Sequence, residues 1–458
     1  MLIRSVSGVR GLTGEDITPE LAFRYARAFG ALTGGAVLVG WDSRRGGLAL
    51  YHAVEEGLRA SGATVVDAGV VPTPTIGIGV RELGLEGGVV VTASHNPEEY
   101  NGLKFFSSRG VFLVKDEVEE LFLRVDRTDD EEVGPAPEVE GSQRGAGIAG
   151  ATGVIERHLS LIENSPAVDR EAVSSCAPRV AVDCVNGAGS VILPRLLSDL
   201  GCDVVELDTT PGGGFGRVPE PTPANLAGLC ETVLRSGAAL GMACDPDADR
   251  LALVDENGKA ISEELTLALS ARAVLEDMRG PIVVNASTSR MMDDLASEFE
   301  VPAFRTPIGE INVVSKMMEV DAVIGGEGNG GVIFPSIHAG RDAATAAALV
   351  LAGALKGGRT PLSEAVARFI PYVMVKSKIE LESPSRSGIV AAMERAFPGA
   401  DVDLTDGAKI LWPDRWIHAR MSGTEPVVRV IAEATSRGDA QELVDRAITA
   451  IAEAAGGV

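Results

Sequence analysis

The chain has 458 residues, 45% of them hydrophobic and 4% aromatic, enough for three or four aliphatic domains at roughly 100 to 200 residues each. Its formal charge of -24 excludes a nucleic-acid or anionic-membrane surface, because both need concentrated Lys and Arg. Any anionic ligand must be held by local cations that oppose the overall field.

The opening, MLIRSVSGVRG, lacks the apolar core of a signal peptide, and a cytoplasmic protein is expected. GAVLVGWDSR (35–44) then starts a unit that recurs at PRVAVDCVNGAG (178–189) and GPIVVNASTSR (280–290): a β-branched run, a turn, a helical stretch and a second strand. Each unit reaches a further apolar run that ends in an unusual polar loop: VVVTASHNP, AALGMACDPDADR and VDAVIGGEGNGG. Strands alternating with helices predict largely parallel sheets, with ligands bound past the carboxyl ends of the strands.

In the first loop, Ser94 and His95 adjoin, with Lys104 a few residues on. Adjacent side chains usually diverge, working triads draw their members from distant segments, and no G-x-S-x-G elbow occurs. A serine at a strand end, near backbone N–H groups and a lysine, is suited instead to carry a phosphoryl group.

The acidic, Gly- and Pro-rich stretch at 126–150 reads as a linker. In the second unit, PGGGFGRVPEPTPANL (211–226) adds a glycine run but fits neither nucleotide-binding glycine motif. CDPDADR follows, with Asp245, Asp247 and Asp249 at alternate positions, so that an extended segment would project all three carboxylates to one side. Such a cluster suits a hard cation, Mg²⁺ or Ca²⁺. An EF-hand counted from Asp245 fails because its sixth place is Arg250 rather than Gly. A phosphatase of the haloacid dehalogenase type, phosphorylated on Asp245, remains an alternative.

The third loop, GGEGNGG (325–331), sets Glu327 and Asn329 among glycines, offering groups suited to vicinal hydroxyls. The run AATAAALVLAGAL (343–355) is too short to span a bilayer. After a break near 368–388 come strands, the loop ARMSGTEPVVRVIAEA (419–434) and an amphipathic helix from about 438. Arg420, Ser422, Gly423, Thr424 and Arg429 have the composition that holds a phosphate dianion. At an effective dielectric near 20, one cation about 4 Å from an anion contributes roughly 4 kcal/mol before desolvation. The five cysteines are scattered and never spaced CxxC, which reads as buried free thiols.

TASHNPEEYNGLK, DPDADR, the GE-type loop and RMSGTEP, in this order along the whole chain, resemble the α-D-phosphohexomutase family, which includes phosphoglucosamine mutases and phosphomannomutase/phosphoglucomutases. The resemblance implies an α/β protein of four domains around a central cleft, the first three of one mixed α/β topology and the fourth a smaller α+β domain. It implies a phosphoserine domain (1–133), a linker (134–152), a metal-binding domain (153–254), a sugar-binding domain (255–368) and a phosphate-binding domain (369–458).

By the same likeness Ser94 is the phosphoserine and, with Asp245, Asp247 and Asp249, a ligand of Mg²⁺. Arg10, Lys104, His95 and Arg250 are the catalytic groups around it. Glu327 and Asn329 read the sugar, while Arg420, Ser422, Gly423, Thr424 and Arg429 clamp its non-reacting phosphate. The implied reaction interconverts hexose 6-phosphate and hexose 1-phosphate through a bisphosphate. The GEGNGG and SGTEP loops look most like the archaeal-type phosphoglucosamine mutase branch, which implies a glucosamine phosphate substrate, with phosphomannomutase/phosphoglucomutase activity as the alternative; a monomer or homodimer is expected. One departure stands out: where many members carry Ser, Gly and His at the second to fourth places after the loop glutamate, Gly331 occupies the histidine's place here.

Overall fold

In the computed structural model, residues 2–127, 151–355, 360–381, 385–422 and 427–456 are described. Most of the expected linker at 134–152, together with Gly423 and Thr424, lies outside them; residues 151 and 152 open the helix Ala151–Glu163.

Three sheets repeat one strand order. In the first, Ala36–Trp41 is flanked by Thr64–Val70 and Gly87–Val91, both parallel to it, and Tyr100–Ser107 then pairs antiparallel with Gly87–Val91. In the second the corresponding strands are Arg179–Asp183, Asp203–Leu207, Leu240–Cys244 and Leu251–Asp255. In the third they are Ile282–Asn285, Ala303–Thr306, Ile324–Glu327 and Gly331–Phe334.

The sheets are therefore mixed rather than largely parallel. Each unit closes with a hairpin from its third strand to an antiparallel fourth, and each of the three polar loops is the bend of that hairpin. In the first sheet Gly8–Leu12 adds beyond Tyr100–Ser107, which sets Arg10 opposite Gly102 and brings it to the same edge.

Local signals explain the elements. Thr18 caps the helix Pro19–Thr33 by accepting from the Leu21 N–H at 3.2 Å, Pro19 opens it with its fixed φ, and Gly34 ends it at φ 70°. The small-residue run read as too short for a membrane forms the helix Ala343–Leu355, which packs closely on Glu264–Asp277: a Cβ on Gly353 would lie 2.8 Å from the Ala273 Cβ.

One apolar cluster runs through the first three units, from Leu38 and Ile76 through Leu196 and Met242 to Leu267 and Leu349. The fourth sheet is antiparallel throughout, in the order Val373–Glu380, Val427–Ala434, Trp416–Met421, Ala408–Leu411, Asp401–Asp403. Its own core includes Ile410, Ile417 and Val430 beneath the helix Arg437–Gly456. All five cysteines are free; against the expectation of buried thiols, only Cys184 and Cys244 are buried, while Cys176, Cys202 and Cys230 are half-buried. No helix among the described residues is long and apolar enough to cross a membrane.

Candidate active site

Each hairpin bend contains a residue with left-handed backbone: Ser94 at φ 50°, Ala248 at φ 52° and Gly330 at φ 87°. For a non-glycine residue this conformation costs on the order of 1 to 3 kcal/mol and persists only where neighbours enforce it. Around Ser94 the enforcement is visible. Its N–H donates to Thr92 Oγ1 at 2.8 Å, and the Thr92 hydroxyl donates to Asp42 Oδ2 at 2.6 Å.

Asp42 pairs with Arg44 at 2.8 Å, both side chains being fully buried, and Arg44 also donates to the carbonyls of Ser94 and Tyr100. The left-handed turn brings His95 Nδ1 to 3.3 Å from Ser94 Oγ, so these neighbours do not diverge as the sequence suggested. Burial and above all the Arg250 charge hold the His95 imidazole well below its ordinary value, leaving it neutral.

The three aspartates converge by a different route from the extended segment expected. The chain turns back at Ala248, whose N–H donates to the Asp245 carbonyl at 3.0 Å, and oxygens of all three carboxylates lie within 4.8 Å of one another. Asp245 Oδ1 accepts the N–H groups of Asp249 and Arg250, at 3.1 and 3.2 Å, while its Oδ2 lies 3.2 Å from Ser94 Oγ. Asp247 Oδ2 accepts from Thr73 at 2.6 Å and from Lys104 at 2.7 Å; Asp249 Oδ2 accepts from Arg341 at 2.6 Å and from Lys104 at 3.2 Å.

The second oxygens of Asp247 and Asp249 are buried without a hydrogen-bond partner. Two orphaned carboxylate oxygens beside Asp245 and a serine hydroxyl form a hard-oxygen set that fits a divalent cation such as Mg²⁺. Burial, then the Asp249 and Asp247 charges, push the Asp245 carboxyl well above its ordinary value. Asp249 goes the other way: against its burial, Arg341, Lys104 and Arg250 hold it ionised. Asp247 and Asp249 likewise keep the Lys104 ammonium charged despite its burial.

Arg10 donates to Asn96 Oδ1 at 3.1 Å, and Arg250 Nε stands 3.7 Å from Asp249 and 3.9 Å from Asp245. In the third bend, Glu327 Oε1 accepts from Asn285 at 2.8 Å and from the Gly309 N–H at 3.3 Å, while Oε2 accepts from Arg341 at 2.8 Å. Asn329 turns its Oδ1 onto the Gly331 N–H at 3.2 Å.

On the fourth sheet Arg420 stands opposite Arg429, and Arg429 opposite Lys378. A row of like charges on neighbouring strands is unfavourable by itself and fits an anion between them. Burial, against the pull of Asp406, lowers the Arg420 guanidinium from its ordinary value, with the Arg429 charge adding to the effect. Ser422 ends that strand, its N–H donating to the Val427 carbonyl at 2.8 Å.

Ser94, His95, Arg10, Lys104, Arg250, Glu327, Asn329, Arg420 and Arg429 all line one cleft of about 410 Å³, with Arg341 and Lys376 among them. Seven Lys and Arg side chains are thus gathered in this cleft of an acidic protein, with Glu220, Glu264, Glu310 and Glu327 among them. A second cavity, of about 440 Å³ between Leu240, Leu351 and Pro361, lies away from all four loops; its charged groups are already paired, Arg179 with Asp203 and Glu256 with Ser363.

Sequence reading missed Asp42, Arg44, Thr73, Asn285, Glu310 and Arg341. WDSR directly after the first strand was the available signal for the first two, and GRD before the buried helix was the signal for Arg341.

The three hairpin loops and the fourth sheet thus meet in one cleft beside an acidic triad. Models of the phosphoglucomutase/phosphomannomutase α/β/α domains I, II and III match residues 1–132, 156–258 and 262–372, and that of the C-terminal domain matches 376–450. The phosphoglucomutase/phosphomannomutase of Thermococcus kodakarensis is 39% identical over 461 residues, covering 98% of each chain. A probable phosphoglucosamine mutase of Methanopyrus kandleri is 38% identical over 445 residues, covering 96% of this chain and 95% of its own. The solved structure of a phosphoglucomutase/phosphomannomutase family protein from Burkholderia thailandensis superposes with a TM-score of 0.82 at 27% identity, covering 100% of this chain and 98% of that one. The chain belongs to the α-D-phosphohexomutase family, whose members are isomerases.

Proposed function

We propose that the protein interconverts hexose 6-phosphate and hexose 1-phosphate through a phosphoserine at Ser94, with glucosamine phosphate as its substrate. The observation that carries this reading is Ser94 Oγ at 3.2 Å from Asp245 Oδ2, in a cleft that also holds Arg420 and Arg429.

Arg420 and Arg429, with Ser422, Gly423 and Thr424, hold the non-reacting phosphate, and Glu327 and Asn329 accept the ring hydroxyls. The free hydroxyl attacks the phosphorus of phosphoserine 94, the bond from Ser94 Oγ to phosphorus breaks, and a nearby base accepts the hydroxyl proton, a role for which His95, with Nδ1 3.3 Å from Ser94 Oγ, is the candidate. Lys104, Arg10 and Arg250 offset charge on the transferring group. The bisphosphate turns within the cleft and its other phosphate returns to Ser94. A cation held by Asp245, Asp247, Asp249 and the Ser94 oxygen would supply Lewis-acid stabilisation of the phosphoryl oxygens.

The phosphatase alternative would require Asp245 as nucleophile. Asp245 Oδ1 is committed to two backbone N–H groups and Oδ2 faces the Ser94 hydroxyl, which favours serine as the acceptor. Glucosamine phosphate comes first because several relatives carry the name probable phosphoglucosamine mutase; the relative named phosphoglucomutase/phosphomannomutase makes glucose or mannose phosphate the alternative.

The test is kcat/KM with Mg²⁺ for the three sugar phosphates side by side, with Ser94→Ala as the blank and phosphosite mapping of the purified protein. Tenfold preference for glucosamine phosphate corresponds to about 1.4 kcal/mol in the transition state. Undiminished turnover in Ser94→Ala, or a hydroxylamine-labile phosphate on Asp245, would overturn the mechanism.

A further inference from the structure

We propose that Arg341 is a positioning residue that sets the metal loop and the sugar loop as one unit, a role that rests on the reading of Asp249 and Glu327 given above. Its guanidinium directs three nitrogens to three carboxylates in different parts of the chain. One terminal nitrogen lies 2.6 Å from Asp249 Oδ2 in the second hairpin bend, the other 2.8 Å from Glu327 Oε2 in the third, and Nε 3.0 Å from Glu310 Oε2. The Arg341 N–H also donates to the other oxygen of Glu310 at 3.0 Å, so Glu310 grips the residue at both backbone and side chain.

The planar fork offers Asp249 and Glu327 separate nitrogens at fixed directions, whereas a lysine ammonium in the same place is a single point charge on a shorter reach. The fork is buried, with 8% of Arg341 exposed, and it lines the cleft. A shift of either carboxylate therefore moves the guanidinium and, through it, the other.

The same geometry accounts for Gly331. A Cβ there would stand 2.2 Å from the Arg341 Cδ, so the volume a side chain would need is taken by the arginine stem. The loop that places Gly331 where many family members carry histidine thus has a cation in that space, supplied from the strand His338–Arg341.

The experiment compares the full-length wild type with Arg341→Lys, Gly331→Ala and Asn285→Ala. Asn285 holds Glu327 from the other side and has no bond to the metal loop. Mn²⁺ affinity is read directly by electron paramagnetic resonance, KM and kcat with whichever of the three sugar phosphates the wild type turns over best, and folding by thermal melting. Arg341→Lys is expected to weaken Mn²⁺ at least tenfold and to raise KM at least threefold at a melting temperature near the wild type's. Gly331→Ala, which keeps the arginine but displaces its stem, is expected to move both in the same direction by less. Asn285→Ala, which releases Glu327 from the other side, is expected to raise KM and, through Arg341, to weaken Mn²⁺ by less than Arg341→Lys does.

An Arg341→Lys protein that changes only one of the two affinities, or only the melting temperature, overturns the proposal. If Arg341→Lys does not fold, Gly331→Ala decides by the same criterion. Should the wild type bind no Mn²⁺, or Asn285→Ala leave KM unchanged, the underlying assignment of Asp249 or Glu327 fails in its own right, and the coupling with it.

Discussion

Thr73 holds Asp247 twice: its N–H donates to the Asp247 carbonyl at 2.9 Å and its hydroxyl to Asp247 Oδ2 at 2.6 Å. The first residue of the helix Thr73–Leu83, in the unit that carries Ser94, thereby fixes the metal loop of the next unit. Thr73→Val keeps the backbone bond and the shape but removes the hydroxyl donor from a buried carboxylate. A hydrogen bond to a charged group is worth about 1.5 to 3 kcal/mol, so the variant should need several-fold more Mg²⁺ for half-maximal activity. An unchanged Mg²⁺ titration would show that Lys104 and the backbone bond position Asp247 without the hydroxyl.

Three buried carboxylates that repel one another should make the fold sensitive to the cation, apart from any turnover. Because binding to the native state alone stabilises by mass action, Mg²⁺ at a hundredfold over its Kd should add about 2.7 kcal/mol. This would appear as a rise in melting temperature that EDTA reverses. Asp245→Asn should lose most of that rise, and a full rise in the variant would place the cation elsewhere.

His158 lies at the meeting of three units. Its Nδ1 is 2.9 Å from Thr75 Oγ1 and its Nε2 is 2.8 Å from Asp342 Oδ2, all three residues being almost fully buried. Burial works against Asp342, yet His158 holds its carboxyl below the ordinary value. Asp342 also accepts from the Ala344 N–H and the Thr345 hydroxyl, so removing the imidazole takes one donor from a buried carboxylate, at a typical cost of about 1.5 to 3 kcal/mol. His158→Ala should therefore melt below the wild type, and an unchanged melting temperature would mean that the Ala344 and Thr345 donors satisfy Asp342 by themselves.

How far these groups could be read from sequence follows from where their partners lie. Ser94, Asp245 and Glu327 each end an apolar strand, so a polar residue there stands out against its own neighbours. Arg341 and Asp249 are 92 positions apart, and His158 and Asp342 are 184 apart; nothing local to any of them marks the pairing. The repeated strand, turn and helix pattern carried the threefold architecture, but not the antiparallel fourth strands, since alternation alone does not encode direction. The convergence of the aspartates was expected for the wrong reason: a left-handed residue at Ala248, which sequence does not announce as a glycine would, makes the turn.

Glu264 gives a pH dependence with a defined sign. It is buried against the sugar loop, where a Cβ on Gly328 would collide with its carboxyl, and Oε2 accepts from the Ser289 N–H at 2.9 Å. Burial pushes its carboxyl up from 4.5 to about 8, with Glu433 and Glu263 adding to the shift and Lys376 opposing it. The folded value lies above the unfolded one, so the stabilisation is fully present below pH 4.5 and is lost as pH rises through about 8. Within that window the slope from this one group approaches about 1.4 kcal/mol per pH unit. Glu264→Gln keeps the shape and an acceptor for Ser289 but cannot ionise. The variant and the wild type should melt close together at pH 5, and the variant should melt higher at pH 8. A gap between them that stays constant from pH 5 to 8 would mean that Lys376 pairs with an ionised Glu264 throughout.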